Sequence, residues 1–264
     1  SIDNAKDSAE YLLCFVLKTA KSHLYIQQDI PISQSQESEF FQLINRRSKN
    51  EPIDYIIGEK SFYNCSFLLN SNVLIPRQET EILVDFAAEV LKKENIENKI
   101  LFDICSGSGC IGISLKKKFE NLKVYLSDIS QKAIELAKQN AKKNNVKVFF
   151  KHGDLLKPFK SLKADYVICN PPYVSIDEYD ELDADVKNFE PKIALSAKDK
   201  GLEFYKKIEK RIFKYLNPKA KLFFEIGYMQ KENILDVFSS EKWKNKHVYQ
   251  DFSGKNRFFF VEIQ

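Results

Sequence analysis

Apolar residues recur at spacings of three and four near the start of the chain, at Ala9, Leu12, Leu13, Val16, Leu17 and Ala20. That period is helical, so residues 1–50 read as a helical part. Ile30, Pro31 and Ile32 interrupt it, residues 33–39 are polar, and Phe40, Phe41 and Ile44 resume the spacing over 39–47. The helix is expected to stop near Asn50, because Pro52 disfavours helical backbone ahead of it. The pattern then changes. Tyr55, Ile56 and Ile57, then Phe62 and Tyr63, then Phe67, Leu68 and Leu69 look strand-like, with Gly58, Asn64 and Asn70 to Asn72 as turn material. Residues 51–76 are therefore expected to be a hairpin linker. Helical spacing returns over 78–95, with Ile82, Phe86 and Val90 on one stripe and Leu83, Ala87 and Leu91 beside it.

From residue 99 onward strands and helices alternate. Strands are expected at 100–104, 124–127, 146–151, 166–169, 221–225, 247–251 and 258–263, and helices at 111–119, 131–144, 202–215 and 231–239. Alternation of this length predicts an α/β fold, a mostly parallel sheet with helices on both faces. The last two strands are only a few residues apart, which forces them antiparallel. The chain thus divides into residues 1–50, 51–76 and 77–264.

Composition narrows the class. Of 264 residues, 30% are charged and 44% hydrophobic, as in an ordinary globular chain rather than a disordered one. The longest apolar run, 11–17, is far short of the roughly 20 residues a membrane-spanning helix needs. Asp3, Asp7 and Glu10 ahead of it do not suit a signal peptide. A net charge of +4 is too mild to point to nucleic acid. The 5 cysteines include no Cys-x-x-Cys pair, so a disulfide framework and a structural zinc site are not expected, and a reduced cytoplasm is. With only His23, His152 and His247, chemistry built on several histidines is excluded by count.

Two segments carry chemistry. Strand 100–104, interrupted by Asp103, runs into Cys105, Ser106, Gly107, Ser108, Gly109, Cys110, Ile111 and Gly112. In alternating folds ligands bind where strands end and helices begin. Glycines let a ligand approach the backbone there, and the helix start leaves N–H groups free. Asp128, just past the second strand, can hold ribose hydroxyls. Gly107, Gly109 and Gly112 also satisfy Gly-x-Gly-x-x-Gly, which keeps a nicotinamide cofactor open. Asp103 speaks against it, since such a cofactor needs no acid inside the first strand, where a carboxylate can serve a cationic ligand. Asp154, closing the third strand, can accept from an exocyclic amine, with Leu155 packing on a purine face.

The second segment is Asn170-Pro171-Pro172-Tyr173, directly after the buried run 167–169. The prolines stop the strand and stiffen the loop, and lacking N–H they leave their carbonyls as pure acceptors. Asn170 adds a side-chain acceptor and Tyr173 an aromatic wall. The loop is a rigid acceptor clamp for a planar group bearing N–H donors, such as a carboxamide or the exocyclic amine of a base.

These motifs in this order resemble the class I S-adenosylmethionine-dependent methyltransferases, and among them those that methylate planar amino groups. Asn50-Glu51-Pro52-Ile53-Asp54-Tyr55-Ile56-Ile57-Gly58 is similar to the Pro-Ile-x-Tyr-x-x-Gly segment of the release factor glutamine methyltransferases (the PrmC/HemK family), and residues 74–81 resemble their Ile-Pro-Arg-x-x-Thr-Glu element. Residues 190–195 and 251–257 also match in order. The resemblance covers nearly the whole chain. It implies a Rossmann-like sheet, mostly parallel with an antiparallel last strand. It implies S-adenosylmethionine as donor, S-adenosylhomocysteine as product, and the glutamine of a Gly-Gly-Gln motif in peptide chain release factors as acceptor. Cys105, Ser106, Gly107, Ser108 and Gly109 would meet the methionine part of the donor, Asp128 the ribose, and Asp154 and Leu155 the adenine. Asn170 would face the reacting centre, with Asn170 and Pro171 as the catalytic pair and Asn170, Pro171, Pro172 and Tyr173 binding the amide. No metal and no membrane enter this chemistry. Cys105 departs from the family, whose turn begins with glycine. Residues 1–50 would be a substrate-recognition domain, which the resemblance extends upstream of Ser1, and residues 77–264 the donor-binding domain. The alternative is a DNA or RNA exocyclic-amine methyltransferase, since the clamp suits a base amine equally well. Such an enzyme needs a basic groove. In the first 50 residues Lys6, Lys18, Lys21, Arg46, Arg47 and Lys49 are balanced by Asp3, Asp7, Glu10, Asp29, Glu37 and Glu39. An oxidoreductase, or a binding module without catalysis, gives no reason for the clamp.

Overall fold

A computed structural model describes residues 5–26 and 29–264; residues 1–4 and 27–28, inside the stretch read as helical, lie outside the described residues. Helices α1 (Ala5–Leu17), α2 (Lys21–Ile26) and α3 (Gln34–Arg47) open the chain. Leu12 and Val16 bury the inner face of α1. α3 starts earlier than its apolar spacing indicates, because Ser33 and Gln36 form a capping box: the Gln36 amide donates to Ser33 Oγ at 3.2 Å and the Ser33 amide to Gln36 Oε1 at 2.9 Å. It stops at Arg47, and residues 48–50 are turns.

Residues 55–57, expected as a strand, form the short helix α4 (Ile53–Ile57). The Pro52 carbonyl accepts from the amides of Tyr55 and Ile56, both at 3.0 Å, and Gly58 ends the turn with φ +78°, a left-handed conformation suited to glycine. The apolar run there reflects burial, not strand alternation. The expected hairpin follows as β1 (Glu59–Phe62) and β2 (Cys65–Leu68), paired antiparallel. Tyr63 and Asn64 turn it with φ of 47° and 57°, as a two-residue type I′ connection requires.

The remainder runs α5 (Gln78–Lys92), β3 (Ile100–Ile104), α6 (Cys110–Lys118), β4 (Lys123–Asp128), α7 (Gln131–Lys143), β5 (Phe149–His152), β6 (Ala164–Cys169), α8 (Ile176–Tyr179), α9 (Ala184–Phe189), α10 (Lys192–Leu195), α11 (Glu203–Ile212), β7 (Leu216–Glu225), α12 (Lys231–Val237), β8 (Trp243–Gln250) and β9 (Asn256–Ile263). The sheet order is β5-β4-β3-β6-β7-β9-β8. Strands β3 to β7 pair in parallel, and β9 lies antiparallel between β7 and β8. This is the expected α/β sheet with its reversed last strand. Leu101 and Phe102 are both fully buried in separate cores on the two faces, which explains the unbroken apolar run of a central strand. The chain builds outward from β3 to β5 and then returns to β6 on the other side of β3, so the switch point lies between β3 and β6.

Asn140 of α7 and Asn144, which caps its C-terminal end, hold the free edge of the hairpin. Asn140 accepts from the Leu68 amide at 2.7 Å and donates to the carbonyls of Leu68 at 3.2 Å and Ser108 at 2.9 Å. One turn on, Asn144 accepts from the Ser66 amide at 3.2 Å and donates to its carbonyl at 2.7 Å. Tyr55, Leu69, Val73 and Ile75 pack against Ala133 and Leu136 of the same helix. The linker is thereby fixed to the sheet domain beside the glycine turn. Among the described residues, no helix is long and apolar enough to cross a membrane.

Candidate active site

Strands β3, β4 and β6 end around a cavity of about 390 Å³ at the switch point. That volume falls within the roughly 300–1,000 Å³ of small-molecule sites. Cys105, Ser106, Gly107 and Ser108 line it after β3, Asp128 at the end of β4, Asp154 and Leu155 after β5, and Asn170 and Pro172 after β6. Positions far apart in sequence are thus brought to one wall. Gly109, Pro171 and Tyr173 do not line the cavity. Gly109 starts α6 at φ +82°, and a Cβ there would come within 2.8 Å of Leu126, so packing against β4 already demands glycine. Pro171, between Asn170 and Pro172, is buried. Tyr173 supports the loop from behind: its hydroxyl donates to Glu225 Oε1 at 3.1 Å and its carbonyl accepts from Gln230 Nε2 at 3.0 Å.

Asp103 does not reach the cavity. It is fully buried and accepts from the Gly112 amide at 2.9 Å. Burial outweighs that bond and, helped by the nearby Asp128 charge, pushes its pKa up to about 8. Asp128 ties the glycine turn to β4, accepting from the amides of Gly107 at 2.9 Å and Ser130 at 2.8 Å. Burial raises its pKa against the pull of these amides. A carboxylate has about four acceptor positions, so capacity remains for a hydroxyl from a ligand.

Several features suit a ligand that carries hydroxyls and approaches the backbone closely. Ser106 Oγ and Ser127 Oγ are buried at this cavity with no partner among the described residues. A Cβ added to Gly107 meets nothing within 4 Å, so any side chain there would project into the opening. Cys105 sits at φ 59°, a left-handed conformation in which a glycine would be unstrained. Asp154 is paired with Lys157 Nζ at 2.8 Å.

Beside Asn170, and starting with Thr80 on the same cavity wall, lies a polar set that sequence reasoning left without a role. Asn170 Nδ2 donates to Thr80 Oγ1 at 3.4 Å, and the Thr80 hydroxyl donates to Glu225 Oε2 at 2.7 Å. Burial pushes the Glu225 carboxyl up; the two hydroxyl donors and Arg257 pull it down. A second pair braces the cavity rim. Glu190 is buried, accepts from the Ile75 amide at 3.1 Å and is bonded by the Arg77 guanidinium. It thereby joins the end of the linker to α10, whose Ile193 and Ala194 line the cavity. Arg77, Thr80 and Glu190 stood inside recognised motifs. Glu225 gave one signal, an acid closing a buried strand.

A seven-stranded sheet in this order, with one reversed strand and a ligand cavity at its switch point, defines a class I methyltransferase. The methyltransferase small domain family matches residues 79–185, and the PrmC N-terminal domain family matches residues 1–58. A release factor glutamine methyltransferase of Bacillus anthracis is 39% identical over 99% of this chain and 95% of its own length, and one of Thermodesulfovibrio yellowstonii is 38% identical over 96% and 91%. The chain belongs to the release factor glutamine methyltransferase family. A methyltransferase structure from Pyrococcus furiosus shares the fold, with a TM-score of 0.56 at 16% identity over 88% of this chain and 98% of that one.

Proposed function

We propose that this methyltransferase moves a methyl group from S-adenosylmethionine to the side-chain amide nitrogen of the glutamine in the Gly-Gly-Gln motif of peptide chain release factors, leaving S-adenosylhomocysteine and a proton that passes from the nitrogen to water. The observation that carries the reading is the placement of Asn170, which ends β6 on the wall of the same cavity as the glycine turn and Asp128. In this reading Cys105, Ser106, Gly107 and Ser108 hold the methionine part, with Gly109 setting the turn. Asp128 accepts from the ribose hydroxyls, and Asp154 and Leu155 hold the adenine. The donor, when bound, supplies an electrophilic methyl group on a sulfonium.

The task left to the chain is placement. An amide nitrogen is a weak nucleophile because its lone pair is delocalised, and orientation can supply up to about 7–11 kcal/mol. Asn170 Oδ1 and the Pro171 carbonyl accept the two amide hydrogens. They hold the nitrogen toward the cavity and favour the positive charge that grows on it. Pro172 stiffens the loop, and Tyr173, held at both its hydroxyl and its carbonyl, keeps it in place. A glutamine on a partner protein also needs a docking face. Residues 1–50 and the linker 51–76 provide it, with Tyr11, Phe15 and Phe41 exposed on α1 and α3. Residues 77–264 form the donor-binding domain. The five free cysteines suit a reducing cytoplasm.

The test is labelled methyl transfer to purified release factor, to its Gln→Ala variant, and to DNA and RNA in parallel. Label on the glutamine-bearing release factor alone is expected. Label on nucleic acid and none on release factor overturns the reading in favour of an exocyclic-amine methyltransferase.

A further inference from the structure

Thr80 lies on α5, 90 residues from Asn170 in sequence, yet its hydroxyl oxygen stands 3.4 Å from Asn170 Nδ2. The two ends of an asparagine amide are nearly alike in shape, so its orientation is set by its hydrogen-bond neighbours. Thr80 has a single proton to donate, and Glu225 Oε2 takes it at 2.7 Å. Thr80 Oγ1 is then an acceptor toward Asn170, and Nδ2 is the end that faces it. The flipped amide would set two acceptors, Oδ1 and Oγ1, against each other. Glu225 has little freedom to turn away. It is 2% exposed, its other carboxylate oxygen accepts from the Tyr173 hydroxyl at 3.1 Å, and its carbonyl accepts from the Tyr205 hydroxyl at 2.6 Å.

We propose that Glu225 and Thr80, which lines the same cavity as Asn170, form a positioning relay that holds Asn170 Nδ2 on Thr80 and so leaves Oδ1 as the acceptor for an incoming N–H group. The relay makes the site an acceptor of N–H groups. A flipped Asn170 would present donors instead and would suit a carbonyl or a ring nitrogen. The specificity for an amide or amine nitrogen is thus written in part outside the motif that carries it. The proposal rests on the function proposed above for the identity of the substrate, whereas the amide orientation is a property of the chain alone.

Thr80→Val keeps the shape and removes the hydroxyl. It is expected to lower kcat about 100-fold, the scale of a misplacement of about 1 Å, with KM for release factor and Kd for the donor within about threefold of wild type. Thr80→Ser restores the hydroxyl and is expected to restore kcat. Glu225→Gln, which can donate to Thr80 and so turn its proton toward Asn170, is expected to lower kcat as Thr80→Val does. A second measurement needs no substrate: the side-chain amide protons of Asn170 in the wild-type chain are expected to show a nuclear Overhauser contact to Thr80. Wild-type kcat in Thr80→Val, equal loss in Thr80→Ser, or no such contact overturns the relay. A wild-type chain that labels no release factor overturns the substrate reading instead, and the Overhauser contact then decides the relay by itself.

Discussion

Asp103, inside β3, and Asp128, at the end of the adjacent β4, do different work. Asp128 binds amides at the cavity wall, whereas Asp103 is sealed under α6 with Gly112 as its donor. An acid of this kind ionises near 4 in an unfolded chain. In the fold its pKa is pushed up to about 8. Between those values the folded chain holds a proton that the unfolded chain has released. Its contribution to stability is therefore intact below about 4 and is lost progressively as pH rises toward about 8. Asp103→Asn keeps the acceptor for Gly112 and cannot ionise. Thermal melts from pH 4 to 9 should show the wild type losing ground to this variant as pH rises, levelling off above about 8. A constant offset across the range would count against a buried neutral acid. At this scale the cavity wall was legible, because residues at strand ends in an alternating fold have few packing duties to obscure a chemical one. Thr80 and Glu225 were not, because they act through each other across 145 residues, and no local spacing records such a contact.

Elements differ in the same way. Long helices and central strands announce themselves through apolar stripes, as α5 and β3 do. Short elements held by caps do not. α4 depends on Pro52 and Gly58, α3 begins at a capping box, and α8 is a single turn capped by Ser175 and Glu178. The region of α8 to α10 carries no stripe and gave no expectation, and β7 extends to Leu216 beyond its apolar half. The hairpin was readable, but its anchor on α7 was not, since a buried asparagine within the helix and one at its C-terminal cap break the apolar stripe instead of extending it. Asn140→Ala removes three bonds to the hairpin and to Ser108. At about 1 kcal/mol net each, with backbone groups left unsatisfied, the loss should be about 2–4 kcal/mol by urea unfolding. Because Ser108 belongs to the glycine turn, donor affinity should fall with it. An unchanged unfolding midpoint would show that the clip carries no load.

For the whole molecule, the class of fold followed from the alternation of strands and helices, and the pairing of its last strands from their short connection. What joins the parts did not follow. The Arg77 to Glu190 pair spans 113 residues and fixes the linker to the rim of the cavity. Glu190→Ala leaves the buried Ile75 amide without its acceptor, at a cost of about 1–3 kcal/mol. Arg77 keeps a third of its side chain exposed and regains water, so it adds little. The expected outcome is a modest fall in stability together with weaker donor binding, as Ile193 and Ala194 lose their brace; calorimetric titration of S-adenosylmethionine measures it. Unaltered affinity would mean that α10 holds its place without the linker.

The central claim is that Asn170 places an amide nitrogen at the donor's methyl group. Single-turnover methyl transfer to release factor by Asn170→Ala, with donor affinity measured on the same preparation, tests it most directly. A rate lowered about 100-fold or more, with donor Kd within about threefold of wild type, is predicted. A rate close to wild type, or a loss accounted for by weaker donor binding, would contradict it.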